Sequence, residues 1–415
     1  MSLIFSRPLF LVGFTAAAAF TLAPSALAEP APTYEALLEK LDQNPLSIES
    51  MAAHEAAEGR ALQAHARPNP TISLEAENAY GSGPFNGYDA ADTTFSISQP
   101  LELWGQRGAR IDAAQAQVEV TGIRRDQMRW VLSANLAQAY AEAEAASLRY
   151  DLAAQALSLT QADAEAVLAL IDKGREAALR GVQAESEVEA ARANVDVARA
   201  NRETAFGRLS ALSMLAEPIT SIGDDLLNRV PQSITSEPRE LPAVKVAKAE
   251  LDAAERQVNV ERLRARPDVT AAFGVRRFEE YRAEALAFGV SVTLPLFDRN
   301  TGAISAARAE QRAAEARLTS QEWAAQAERR AAQSSLDASI SRTAAADAGE
   351  VAAEEAYRLA RIGFDAGRIS QLELRSSRAA LIAAGNNAVD ARLARALAEI
   401  ALARLVGRAP FVETF

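Results

Sequence analysis

Two stretches of this chain contain no proline at all. None occurs between Pro100 and Pro218, and none between Pro295 and Pro410. Both windows are rich in Ala, Glu, Arg, Leu and Gln, the residues that lose least on entering a helix. Leu132, Leu136 and Tyr140, then Tyr150 and Leu157, recur at helical spacing, as in helices packed side by side like a coiled coil. From Gly105 to Ile171 there are 67 residues, and from Gly302 to Phe364 there are 63. At a rise of 1.5 Å per residue these predict helices of roughly 100 Å and 95 Å. Helices of that length cannot close into a globule and must run along something equally long.

Short alternating segments precede each window. In TISLEAEN, Ile72, Leu74 and Ala76 share one face and Ser73, Glu75 and Glu77 the other. In TTFSISQP, Phe95 and Ile97 oppose Thr94, Ser96 and Ser98. DVTAAFGV and ALAFGVSVTLP repeat the pattern through Phe273 and Phe288. A period of two predicts strands with one apolar and one small or polar face. The spacing places them at about 70–80, 92–99, 268–278 and 284–294. Each approaches the length of a tilted membrane strand.

The two halves follow one plan. Pro45 corresponds to Pro242, Arg67-Pro68 to Arg266-Pro267, Pro100-Leu101 to Pro295-Leu296, and Gly174-Arg175 to Gly367-Arg368. Each copy reads helix, strand, loop, strand, long helix, glycine break, return helix. This is one duplication rather than a solenoid, whose repeats are far shorter. The layout is residues 29–215 for the first copy, 216–239 for a linker with Pro218, Pro231 and Pro238, 240–408 for the second copy and 409–415 for a tail. Residues 1–28 read as an export signal: Arg7 precedes an apolar run from Leu9 to Leu22, and Ala26-Leu27-Ala28 predicts cleavage between Ala28 and Glu29.

Four strands cannot close a barrel, which needs about eight. An open sheet with an apolar face would also leave its edges bare. Three copies would supply twelve strands and a lumen. The formal net charge of -11 argues against nucleic acid as a partner. The chain has no cysteine, and its two histidines, His54 and His65, are spaced too far apart for a helical metal pair. The sequence also shows no phosphate-binding Gly-Lys-Ser/Thr loop and no nucleophile elbow. The expectation is a non-enzyme with no cofactor and no metal site.

The segments NPTISLEAEN, SQPLELWGQRGARI, RARPDVTAAFGV, VTLPLFDRNTG and ISQLEL resemble the TolC-type outer-membrane factor family, closest to its CzcC-like, heavy-metal efflux branch. The resemblance runs from about Tyr34 to Gly407. It implies a mainly α fold with membrane β: long periplasmic hairpins forming an α-barrel, and four transmembrane strands per chain in the twelve-stranded barrel of a homotrimer. It implies residence in the outer membrane of a Gram-negative bacterium. A periplasmic adaptor and an inner-membrane pump would be the partners, and heavy-metal cations the first expectation for substrate. Alternatives are a conduit for drugs, one for type I protein secretion, or a periplasmic coiled-coil scaffold.

The glycine breaks, tip turns 172–177 and 365–370, are the candidate sites. Gly174 and Gly367 should end the long helices. With Asp172, Arg175, Asp365 and Arg368 they would form the periplasmic tip where partners dock. Ser370 and Glu373 have capping-box spacing. Glu373 also stands where the family places an acidic gating residue, so Glu373, Arg368 and Ser370 are candidates for the constriction. Where family members often carry a second acid three residues on, this chain has Ser376 with Arg375 beside it.

Overall fold

A computed structural model describes residues 30–215, 218–230 and 240–412. The expected cleavage point at Ala28–Glu29, together with Pro231 and Pro238, lies outside them. The elements run α1 (Tyr34–Leu38), α2 (Pro45–Ala64), β1 (Thr71–Glu77), β2 (Asp92–Leu101), α3 (Gln106–Asp172), α4 (Ala178–Ser213), α5 (Pro242–Arg264), β3 (Asp268–Phe278), β4 (Ala283–Thr293), α6 (Thr301–Asp365) and α7 (Gln371–Val406). Strand β1 stops at Glu77 because Asn78 and Tyr80 take positive φ, where the extended ladder cannot continue. Strand β2 continues through Pro100, since β1 pairs only as far as Ser98 and that edge needs no donor.

The long helices α3 and α6 have 67 and 65 residues. Each returns through a tip turn as α4 or α7, making two antiparallel hairpins that meet along α3 and α7. Buried alanines at Ala134, Ala137, Ala141, Ala143 and Ala145 let the helix axes approach. The main apolar core lies about midway along α3, where Tyr34, Leu37 and Leu38 of α1 meet Leu136 and Tyr140 of α3, Leu209 of α4 and Ile400 of α7.

Residues 224–229 of the linker are clasped there from two sides. Glu144 of α3 accepts from the backbone N–H of Leu226 (2.9 Å) and Leu227 (3.2 Å). Arg395 of α7 donates to the carbonyls of Leu227 (2.5 Å) and Arg229 (2.6 Å). Burial pushes the Glu144 carboxyl up to about 8, partly offset by those N–H bonds and reinforced by Asp225.

The four strands form one antiparallel sheet in the order β1-β2-β3-β4. Its register sorts the faces by row. Leu74, Phe95, Val275 and Leu286 stand abreast, as do Ile72, Ile97, Phe273 and Phe288. Among the described residues nothing covers this apolar face: Leu74 is 72% exposed and Phe288 76%. The opposite face is small and polar, with Ser73 and Ser96 sharing a hydroxyl hydrogen bond at 2.7 Å. Among the described residues no helix is long and apolar enough to cross a membrane. The sheet is the element that suits lipid: its inner strands β2 and β3 are paired on both sides, and closure with further strands would pair the two edges, β1 and β4.

Candidate functional site

Both tip turns are built by the same hydrogen bonds. In the first, Gly174 has φ 69°; its N–H bonds to the Ile171 carbonyl at 2.8 Å, and the Arg175 N–H to that of Leu170 at 2.9 Å. In the second, Gly367 has φ 67°, its N–H bonds to the Phe364 carbonyl at 2.8 Å, and the Arg368 N–H to that of Gly363 at 2.8 Å. This is the paired closure of a helix end by a left-handed residue, which satisfies carbonyls the helix would otherwise leave bare. The repeated Asp-x-Gly-Arg is thus a repeated helix stop.

The turns differ in how the return helix begins. At the first, Ala177 precedes α4 and offers no side-chain cap. At the second, Ser370 and Glu373 form a complete capping box. The Glu373 N–H donates to Ser370 Oγ at 3.3 Å, and the Ser370 N–H donates to Glu373 Oε2 at 2.7 Å. Those Ser370 donors hold the Glu373 carboxyl below its ordinary range. Its charge is therefore fixed at the start of α7 and exposed to solvent.

Arg175 and Arg368 are exposed, and neither makes an ion pair among the described residues. Asp172 is exposed at the last turn of α3, while Asp365 is paired with Arg361 at 3.6 Å. The six docking candidates thus crowd the two exposed ends, and among the described residues none of them makes an ion pair from one hairpin to the other.

The tie lies further in. Asp163 precedes the end of α3 by nine residues, about 14 Å of helix rise. Its carboxylate receives Arg378 of α7 at 2.5 Å and Arg361 of α6 at 3.3 Å. Arg378 also reaches Glu187 of α4 at 2.9 Å, and Arg375 pairs with the same carboxylate. Five side chains from all four long helices therefore meet in one network. Asp163 and Arg378 are both under 10% exposed. Burial raises the Asp163 pKa against the opposing pull of Arg378 and Arg361. Sequence reasoning noticed Arg375 only as a departure and missed the rest. The available signal was Arg375 and Arg378, spaced i, i+3 just after the capping box; nothing local marks Asp163.

His54 and His65 are not brought together. His54 Nδ1 contacts Thr121 Oγ1 at 3.1 Å, and the His65 carbonyl accepts from Arg107 at 2.7 Å. Among the described residues no group of three or more His, Cys, Asp or Glu could hold a metal ion.

Residues 37–213 and 239–408 match the family model for outer membrane efflux protein. The nickel-cobalt-cadmium resistance protein NccC of Alcaligenes xylosoxydans xylosoxydans is 40% identical over 296 residues, 70% of this chain and 67% of that one. The nickel and cobalt resistance protein CnrC of Cupriavidus metallidurans is 39% identical over 307 residues, 73% of each. Among solved structures, CusC, described with transmembrane channel formation, superposes with a TM-score of 0.76 at 18% identity, covering 92% of this chain and 96% of that one.

Proposed function

The chain belongs to the outer membrane efflux protein family, and from that premise we propose that it is the passive outer-membrane conduit of a heavy-metal export assembly. Three copies pool twelve strands into a barrel whose apolar face meets lipid and whose small, polar face lines the lumen. The hairpins extend that lumen into the periplasm for about 100 Å. The tips, with Asp172, Gly174, Arg175, Asp365, Gly367 and Arg368, face a periplasmic adaptor and an inner-membrane pump, which supply the energy.

The observation that carries the membrane reading is the uncovered apolar sheet face continuous with the long hairpins. The metal reading rests on relatives whose names specify nickel, cobalt and cadmium resistance. The constriction lies at the second turn, with Arg368, Ser370 and Glu373 at its mouth. Behind them the Asp163–Glu187–Arg375–Arg378 network holds the two hairpins at a fixed separation. Partner binding shifts this arrangement only by favouring the separated state, and a few ion pairs set a modest barrier to that.

Deleting the gene tests the assignment. Growth should fail at lower nickel, cobalt, cadmium or zinc and recover when the gene is restored. Unchanged tolerance to every metal, with new sensitivity to dyes or detergents, would move the substrate to organic compounds.

A further inference from the structure

The lumenal face of the sheet carries nearly all its charge at one end. Small neutral residues line most of it, and Asp268 stands at the helical end. The other ionisable groups on that face are Glu75, Glu77, Asp92 and Arg276, all in the two rows farthest from the helices. Arg276 starts on β3 and reaches over two strands. Its Nη2 donates to Asp92 Oδ2 of β2 at 2.9 Å and to Glu77 Oε2 of β1 at 2.5 Å. The Asn78 side-chain amide donates to the same Asp92 oxygen at 3.1 Å. Glu75 lies in the row of Arg276, is exposed, and makes no ion pair among the described residues.

Two carboxylates at one position on a lumen wall can hold a divalent cation that keeps most of its waters. Here a guanidinium occupies them. A conduit must let its cargo leave, so sites at the exit have to be weak. We propose that Arg276 is the specificity-determining residue of the exit, occupying Glu77 and Asp92 so that passing divalent metal is attracted but not retained. Each copy then presents three carboxylates and one guanidinium, a net charge of -2. That field favours cations over anions, with Glu75 as its free carboxylate. Losing Arg276 adds one negative charge per copy and releases a two-carboxylate site. A purely structural role is the competing account, since Arg276 also fastens three strands together.

This rests on the conduit reading, and planar-bilayer recording of the full-length protein separates the two. In a KCl gradient, R276Q should raise the cation-over-anion permeability ratio by about twofold at 0.1 M salt. The difference should fade at 1 M, where the screening length falls from about 10 Å to about 3 Å. Added Ni²⁺ or Co²⁺ should block the R276Q current at concentrations that leave the wild type conducting. The R276Q/E77Q/D92N variant should lose that block, which a fastening role does not predict. R276K keeps the charge and should resemble the wild type. If R276Q does not assemble, E75Q carries the test and should lower the permeability ratio. Wild-type selectivity and no divalent block in R276Q, or an unchanged ratio in E75Q, overturns the proposal while leaving the conduit intact. Absence of current from every protein, wild type included, overturns both.

Discussion

Arg378 on α7 and Asp163 on α3 are 215 positions apart in the chain and meet at 2.5 Å, where both side chains are almost wholly buried. They belong to different hairpins, so the contact fixes the distance between the two. Breaking a buried pair by removing one partner costs about 3–5 kcal/mol, because the survivor is left uncompensated. In R378Q, Asp163 keeps Arg361 and Glu187 keeps Arg375, so the loss should fall at the low end of that range. The expected result is a larger or more frequently open conductance in bilayers. D163N/R378Q should deviate from additivity, as residues in one network do. Wild-type conductance in R378Q, D163N and D163N/R378Q would remove the pair from the proposed constriction.

Charge at the mouth of the second turn should also register. R368E and E373K reverse exposed charges beside the proposed constriction and should change both conductance and cation preference. E373K additionally destroys the capping box, so S370A is the control. S370A should cost about 1 kcal/mol of helix stability through the lost cap, with little change in ion preference. Equal ion preference in R368E, E373K and wild type would reduce Glu373 to a cap alone.

The tip glycines are needed for backbone reasons. Gly174 and Gly367 have positive φ, and a Cβ at either would meet nothing within 4 Å. G174A and G367A should therefore each cost about 1–2 kcal/mol from backbone strain alone. Thermal unfolding in detergent measures this. Unchanged midpoints would mean that the turns tolerate another closure.

The clasp on the linker gives a pH signature. Glu144 is raised from its ordinary value of 4.5 to about 8, first by burial and further by Asp225. The folded state thus binds the proton more tightly than the unfolded chain. Its contribution to stability is full below about 4.5 and is lost as pH rises through about 8. Thermal midpoints should fall between about pH 4.5 and pH 8, and E144Q, which cannot ionise, should flatten that fall. An identical pH profile in E144Q would contradict the role assigned to Glu144.

The long-range design was legible in the sequence because it rests on local rules. Proline exclusion and helix-forming composition mark α3 and α6, period-two alternation marks the strand pairs, and Gly174 and Gly367 mark the stops. The Ser370–Glu373 cap was legible from its three-residue spacing. The Asp163–Arg378 contact was not, because a pair joining two hairpins leaves no trace in the local pattern of either. Arg276 escaped for a related reason: its partners Glu77 and Asp92 sit on two other strands, and only the register brings the three together. The clasp by Glu144 and Arg395 depends on a linker with no periodicity to read.

Single-channel recording on the purified full-length protein in planar bilayers is the most direct test of the central claim, the conduit itself. The wild type and R378Q should both give discrete, cation-preferring current steps, with R378Q open for more of the time. Silent membranes with both proteins, despite verified insertion, would contradict the account.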